Sequence, residues 1–217
     1  MKDLIAGFAS INYRLSPYPS HPNNPSSPDD LSRNVHYPSH LQDVGQALIY
    51  LEEQYQIANR YLLVGHSAGA TTAFELHNWY FPHKSLPRPA AVLGVSGIYH
   101  FDAFVQAHSE IPAYKELIEN AFPDIASWDK ASPYTNRLPD HAIWEHAKVV
   151  IVAHSDNDEL VEKGQATSML ERARTTPHVK EKVQFLKASG SHDEIWQSGS
   201  ILAGLIAKSI EILSKTP

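Results

Sequence analysis

Gly65-His66-Ser67-Ala68-Gly69 sets a serine between small residues, after the apolar run 61–64 and before the helix-compatible Ala70-Thr71-Thr72-Ala73. A G-x-S-x-G pentapeptide in that setting permits a sharp strand-to-helix turn that projects the serine hydroxyl. The Ala68 amide, at the start of the helix, would face an oxyanion developing on a substrate carbonyl. A serine hydroxyl attacks slowly until a base takes its proton, so a histidine and an orienting carboxylate are required. Both follow in the chain. Asp156 and Asp158 lie in HSDNDELV, residues 154–161, and His192 lies in the small-residue segment SGSHDE, residues 189–194. Composition leaves the two aspartates open, the other being a solvated loop residue or a helix N-cap. The plain alternative for the pentapeptide is a tight turn with an idle serine.

Such a site needs strands that end where these loops begin. The runs 61–65, 91–97, 148–154 and 182–186 are short, apolar and rich enough in β-branched residues to be buried strands. Leu41, Val44, Leu48, Leu51 and Tyr55 recur at steps of three and four, as one helix face requires. Further helices are predicted over about 160–173 and over the C-terminal stretch with Leu202, Leu205, Ile206, Ile210 and Leu213. Strands alternating with helices imply an α/β fold, a mostly parallel sheet with helices on both faces. ASINYRL, residues 9–15, reads as one more strand, and residues 16–39, with six of the 15 prolines, as a long loop. Residues 98–147 are too long for a simple crossover and are predicted to form a cap beside the site within a single 1–217 domain.

The composition narrows the partner. With 217 residues, 42% of them hydrophobic, the chain can bury one sizeable core. A net charge of -6 with no basic stripe argues against nucleic acid and anionic membranes, which leaves a small molecule. The absence of cysteine excludes disulfides, thiolate nucleophiles and cysteine-ligated zinc. His36/His40 and His77/His83 have polar neighbours but form no H-E-x-x-H or comparable set, so neither a metal nor a cofactor is expected. The N-terminal MKDLIAGFAS lacks the length of a membrane span and the flanks of a signal peptide, so a soluble, cytoplasmic protein is expected. A homodimer stays open.

INYRLSP (11–17), DVGQA (43–47), GHSAGA (65–70), HSDNDELV (154–161) and GSHDEIW (190–196) together resemble the α/β-hydrolases of the hormone-sensitive-lipase type, and more narrowly the kynurenine formamidases, or arylformamidases. The chain order Ser, Asp, His agrees. INYRLSP and GHSAG are shared by many esterases, whereas the HS-x-x-DEL and SH-D/N-D/E-x-W/Y segments resemble the formamidases in particular. The resemblance implies hydrolysis of N-formyl-L-kynurenine, an aryl formamide, to kynurenine and formate in tryptophan degradation. It implies Ser67 as nucleophile, His192 as base and Asp158, ahead of Asp156, as the acid. Tyr99, His100, Phe101 and Trp196 could flank the aryl group, although such aromatics more often serve core or cap packing.

The same resemblance brings two expected absences. The family's second oxyanion donor comes from an HGG loop, and the ten glycines, at 7, 45, 65, 69, 94, 97, 164, 190, 199 and 204, include no adjacent pair. INYRLSP resembles the fourth strand of the fold, which implies an N-terminally truncated sheet in which residues 9–15 pair directly with the strand at 61–65 or dangle. Two rivals follow: a carboxylesterase for small acyl esters, and a non-catalytic hydrolase-fold binding protein favoured by the missing donor.

Overall fold

The computed structural model describes residues 5–137, 142–177 and 179–216. Four strands, β1 (Leu62–His66), β2 (Ala91–Val95), β3 (Val149–Ser155) and β4 (Val183–Ala188), form one sheet in the order β1-β2-β3-β4. Every neighbouring pair is parallel, with Gly65 opposite Gly94, Leu93 opposite Ile151 and Ala153 opposite Leu186. All four lie within two residues of the runs read from the sequence. Parallel strands need crossovers, and helices supply them: α2 (Ala68–Glu75) lies between β1 and β2 and α6 (Lys163–Thr175) between β3 and β4, while α1 (Ser39–Tyr55) precedes β1.

Alternation along the strands sorts the core into two layers. Val92, Val150 and Val152 meet Leu41, Val44, Leu48, Ala73, Phe74 and Met169 from α1, α2 and α6 on one face. Leu93, Val95, Ile151 and Ala153 meet Ile195 of α7 (Glu194–Gln197) and Leu205 of α8 (Ser200–Ser214) on the other. Leu41, Val44 and Leu48 thus fulfil the periodicity read in α1, but its last turn leaves the core and Tyr55 is exposed.

Residues 9–15 do not form a strand. The backbone amides of Arg14 and Leu15 are satisfied elsewhere, without a sheet partner. The Arg14 amide donates to Asp43 Oδ2 at 3.0 Å, and its guanidinium makes a two-pronged contact with the same carboxylate at 2.7 and 2.8 Å. Leu15 exchanges bonds with Ser32 and Val35 in the proline-rich loop. Ile11 and Tyr13 pack against the α1 layer as loop residues, and the outer edge of β1 carries no strand among the described residues.

Within 98–147 lie α3 (Phe101–Ala107), α4 (Pro112–Ala121) and α5 (Trp128–Ala131). They build a third apolar cluster from Phe101, Phe104, Ile118, Phe122 and Trp128, closed by Val161 from the loop after β3. Ala142, Ile143 and Trp144 instead belong to the main core, while residues 138–141 lie outside the described residues. No helix among the described residues is long and apolar enough to cross a membrane.

Candidate active site

Ser67 occupies the corner between β1 and α2 with φ 53° and ψ -125°, a backbone conformation that non-glycine residues rarely adopt. The surrounding bonds hold it there. Its amide donates to Val95 O at 2.9 Å, and its carbonyl accepts from the Ala70 and Thr71 amides at 2.9 and 3.2 Å. The two glycines of the pentapeptide are unequal. A Cβ on Gly65 would stand 2.2 Å from the backbone oxygen of Gly69, whereas one on Gly69 would meet nothing within 4 Å. Gly65→Ala is therefore expected to cost about 1–3 kcal/mol through overpacking against a backbone that cannot yield. Gly69→Ala, inside α2, is expected to be neutral or to gain up to about 1 kcal/mol. Thermal unfolding of the pair checks this, and equal midpoints would contradict it.

Asp158 and His192 enter from the loops after β3 and β4, at the same C-terminal end of the sheet as Ser67. His192 Nδ1 lies 3.0 Å from both Oδ1 and Oδ2 of Asp158, whose side chain is fully enclosed. Oδ1 also accepts the amides of Leu160 and Val161 at 3.1 and 2.9 Å. Enclosure alone pushes the Asp158 carboxyl up, but the bonds from His192 and the Val161 amide, with the neighbouring Ser96 hydroxyl, outweigh it and hold the group at about 2. Ser96 Oγ reaches no bond of standard length and angle. An ionised Asp158 can only accept, so Nδ1 must carry the proton and Nε2 presents its lone pair. Asp156 is bound otherwise: Lys163 Nζ sits 2.6 Å from it and Lys187 pairs with its second oxygen on the exposed rim. Of the two aspartates left open by composition, Asp158 contacts His192 and Asp156 pairs with the two lysines.

His192 Nε2 and Ser67 Oγ make no hydrogen bond to each other. The contact between the two segments is made by His66, the residue before the serine, whose ring packs on that of His192 with centroids 4.6 Å apart. Burial first, and then the charge His192 would carry, push His66 down to about 4, so it is neutral at neutral pH. The Ala68 amide opens α2 beside this pair.

The aromatic residues divide differently from the expectation. Tyr99 is fully buried, edge-on to Phe74 at 5.3 Å, with its hydroxyl in the space that a side chain on Gly94 or Gly97 would occupy. Phe101 is buried against Phe122 in the cap cluster. Neither ring has a face to offer a ligand: Tyr99 fills the space beside Gly94 and Gly97, and Phe101 is enclosed by its apolar cluster. His100 is part-exposed and packs on Tyr134 at 4.7 Å, and Trp196 is half exposed with its indole N–H on Asp193. Residues that sequence reasoning missed support the site from behind. Gln165 accepts the Tyr99 and His100 amides at 2.7 and 2.8 Å, and Ser155 Oγ donates to Gly190 O at 2.6 Å. Gln165 carried no sequence signal, whereas Ser155 stands inside HSDNDELV. Among the described residues no cluster of His, Asp and Glu is arranged to hold a metal ion. A cavity of about 270 Å³ lined by Phe74, Trp144, Glu145 and Arg172 includes none of Ser67, Asp158 and His192 in its lining.

The fold is shared with solved hydrolases. An esterase/lipase from an uncultured bacterium superposes with a TM-score of 0.60 at 14% identity, over 82% of this chain and 59% of that one. Carboxyl esterase 2 from Tuber melanosporum gives 0.60 at 14%, over 84% and 64%. This chain therefore spans less than two thirds of either, and it is an α/β-hydrolase in fold. No protein-family model matches it. Curated relatives narrow the class: a kynurenine formamidase from Aspergillus versicolor is 34% identical over 223 residues, covering 90% of this chain and 73% of that protein. A kynurenine formamidase-like hydrolase from Fusarium equiseti is 32% identical over 218 residues, covering 98% and 73%. The chain belongs to the kynurenine formamidase family.

Proposed function

We propose that this protein is a serine hydrolase that cleaves N-formyl-L-kynurenine to L-kynurenine and formate, acting as a soluble cytoplasmic enzyme without cofactor. The observation that carries the chemistry is the His192–Asp158 pair at 3.0 Å beside the strained Ser67 turn. The names of the relatives carry the substrate. Ser67 Oγ attacks the formyl carbonyl as His192 Nε2 accepts its proton, and the ionised Asp158 stabilises the imidazolium that results. The carbonyl oxygen becomes an oxyanion facing the Ala68 amide. His192 then returns its proton to the departing arylamine, leaving a formyl ester on Ser67. Water, deprotonated by His192, releases formate and restores the hydroxyl. An anilide suits this machinery, since the ring withdraws the nitrogen lone pair from the carbonyl. In this reading α3, α4 and α5 would cap the aryl side.

The purified chain, given N-formyl-L-kynurenine and short 4-nitrophenyl esters in parallel, is expected to release kynurenine with the higher kcat/KM. Ester turnover without formamidase turnover would make it a carboxylesterase. The glycine spacing leaves Ala68 as the one oxyanion donor the sequence identifies, which favours a binding protein if neither substrate turns over.

A further inference from the structure

We propose that Glu159 is a positioning residue for the general base, gripping the main chain of His192 while Asp158 grips its ring. This rests on the reading of His192 as that base. Glu159 Oε2 accepts the His192 amide at 3.0 Å, and that amide has no other acceptor among the described residues. Two consecutive carboxylates therefore hold one histidine at two points, one through Nδ1 and one through the backbone nitrogen.

The second grip matters because it ties the main chain of His192 itself to the loop after β3. The loop around His192 begins at Gly190 with φ 84°, and the ladder to β3 ends at Ala188. Its other ties are the Ser155 hydroxyl on Gly190 O, the Ser191 amide on Glu194 Oε2 at 2.8 Å, the turn bonds from the Glu194 and Ile195 amides to Ser191, and the His66 ring against that of His192, none of which takes the His192 amide. Asp158 alone fixes the ring relative to the carboxylate but leaves the Cα free to shift, and the ring would follow. Glu159 is exposed and borders Asp158, so its charge is screened by solvent and its effect is geometric. An uncharged acceptor of the same length would therefore serve as well.

Glu159→Ala and Glu159→Gln separate these terms. With N-formyl-L-kynurenine and 4-nitrophenyl acetate as substrates, Glu159→Ala is expected to lower kcat by about tenfold to a hundredfold, as misplacement of a catalytic group does, with KM little changed. Glu159→Gln, which keeps an acceptor, should restore kcat to near the parental value. The low-field proton resonance of His192 Nδ1–H should broaden or vanish in Glu159→Ala and persist in Glu159→Gln and in Ser67→Ala. Parental kcat and an unchanged resonance in Glu159→Ala would overturn the proposal. So would equal losses in both Glu159 variants, which would assign the effect to charge. If the parent hydrolyses neither substrate, the proposed function fails, and the resonance still decides on Glu159 by itself.

Discussion

Ser67→Ala is expected to bring hydrolysis of N-formyl-L-kynurenine down to background, a loss of up to about a millionfold, since the covalent route disappears with the hydroxyl. The fold should not notice. Ser67 Oγ has no hydrogen-bond partner among the described residues, and the bonds that pin the turn run through the Ser67 backbone, which alanine keeps. The strained φ of 53° costs either residue alike. Thermal unfolding should therefore give matching midpoints for parent and variant while steady-state kinetics separate them. Residual turnover above about one hundredth of the parental rate would remove Ser67 from the role of nucleophile.

Asp158→Asn should cost nearly as much, about ten-thousandfold in kcat, by reversing the tautomer of a histidine that barely moves. Oδ1 of Asp158 is committed to the Leu160 and Val161 amides, so the carbonyl of an asparagine must occupy that place. Its amide nitrogen then falls where Oδ2 now faces His192 Nδ1, and two donors cannot meet there. His192 must shift the proton to Nε2 and present Nδ1 as the acceptor, which removes the lone pair that takes the serine proton. The structural change is small, so the measurement is again kinetic, with circular dichroism as the check on folding. A kcat within tenfold of the parent would mean that the carboxylate does not orient the base.

The frame of the molecule was legible because buried parallel strands announce themselves as short runs of β-branched residues. Val149 to Ser155 is buried throughout and matched its run within a residue at each end. Residues 9–15 carry a similar pattern, but whether a run joins a sheet depends on a neighbour, and here Asp43 and the 32–35 loop take the backbone bonds of Arg14 and Leu15. The motif segments gave Ser67, Asp158 and His192 their places on the sheet. They could not separate Tyr99 and Phe101 from a ligand surface, since an aromatic ring after a strand fits a pocket or a core hole equally. Gly94 and Gly97 were the available hint, because two missing side chains leave room for a ring beneath. Glu159 stood in view beside Asp158, but a backbone amide as its target has no signature in side-chain types.

The strand order has a consequence for leverage. The serine turn leaves β1 and the histidine loop leaves β4, three interstrand steps apart, or about 14 Å at the spacing of a β-sheet. Yet the His66 and His192 rings meet at 4.6 Å. The loop after β4 therefore acts as a cantilever that reaches back over β3 and β2, rooted at Ala188 and propped near its tip by the loop after β3. In such an arm a small rotation at the root becomes a larger displacement at the imidazole. Substitutions at Lys187 or Ala188, distant from any substrate, would thus be felt at the serine before they were felt in the stability of the sheet.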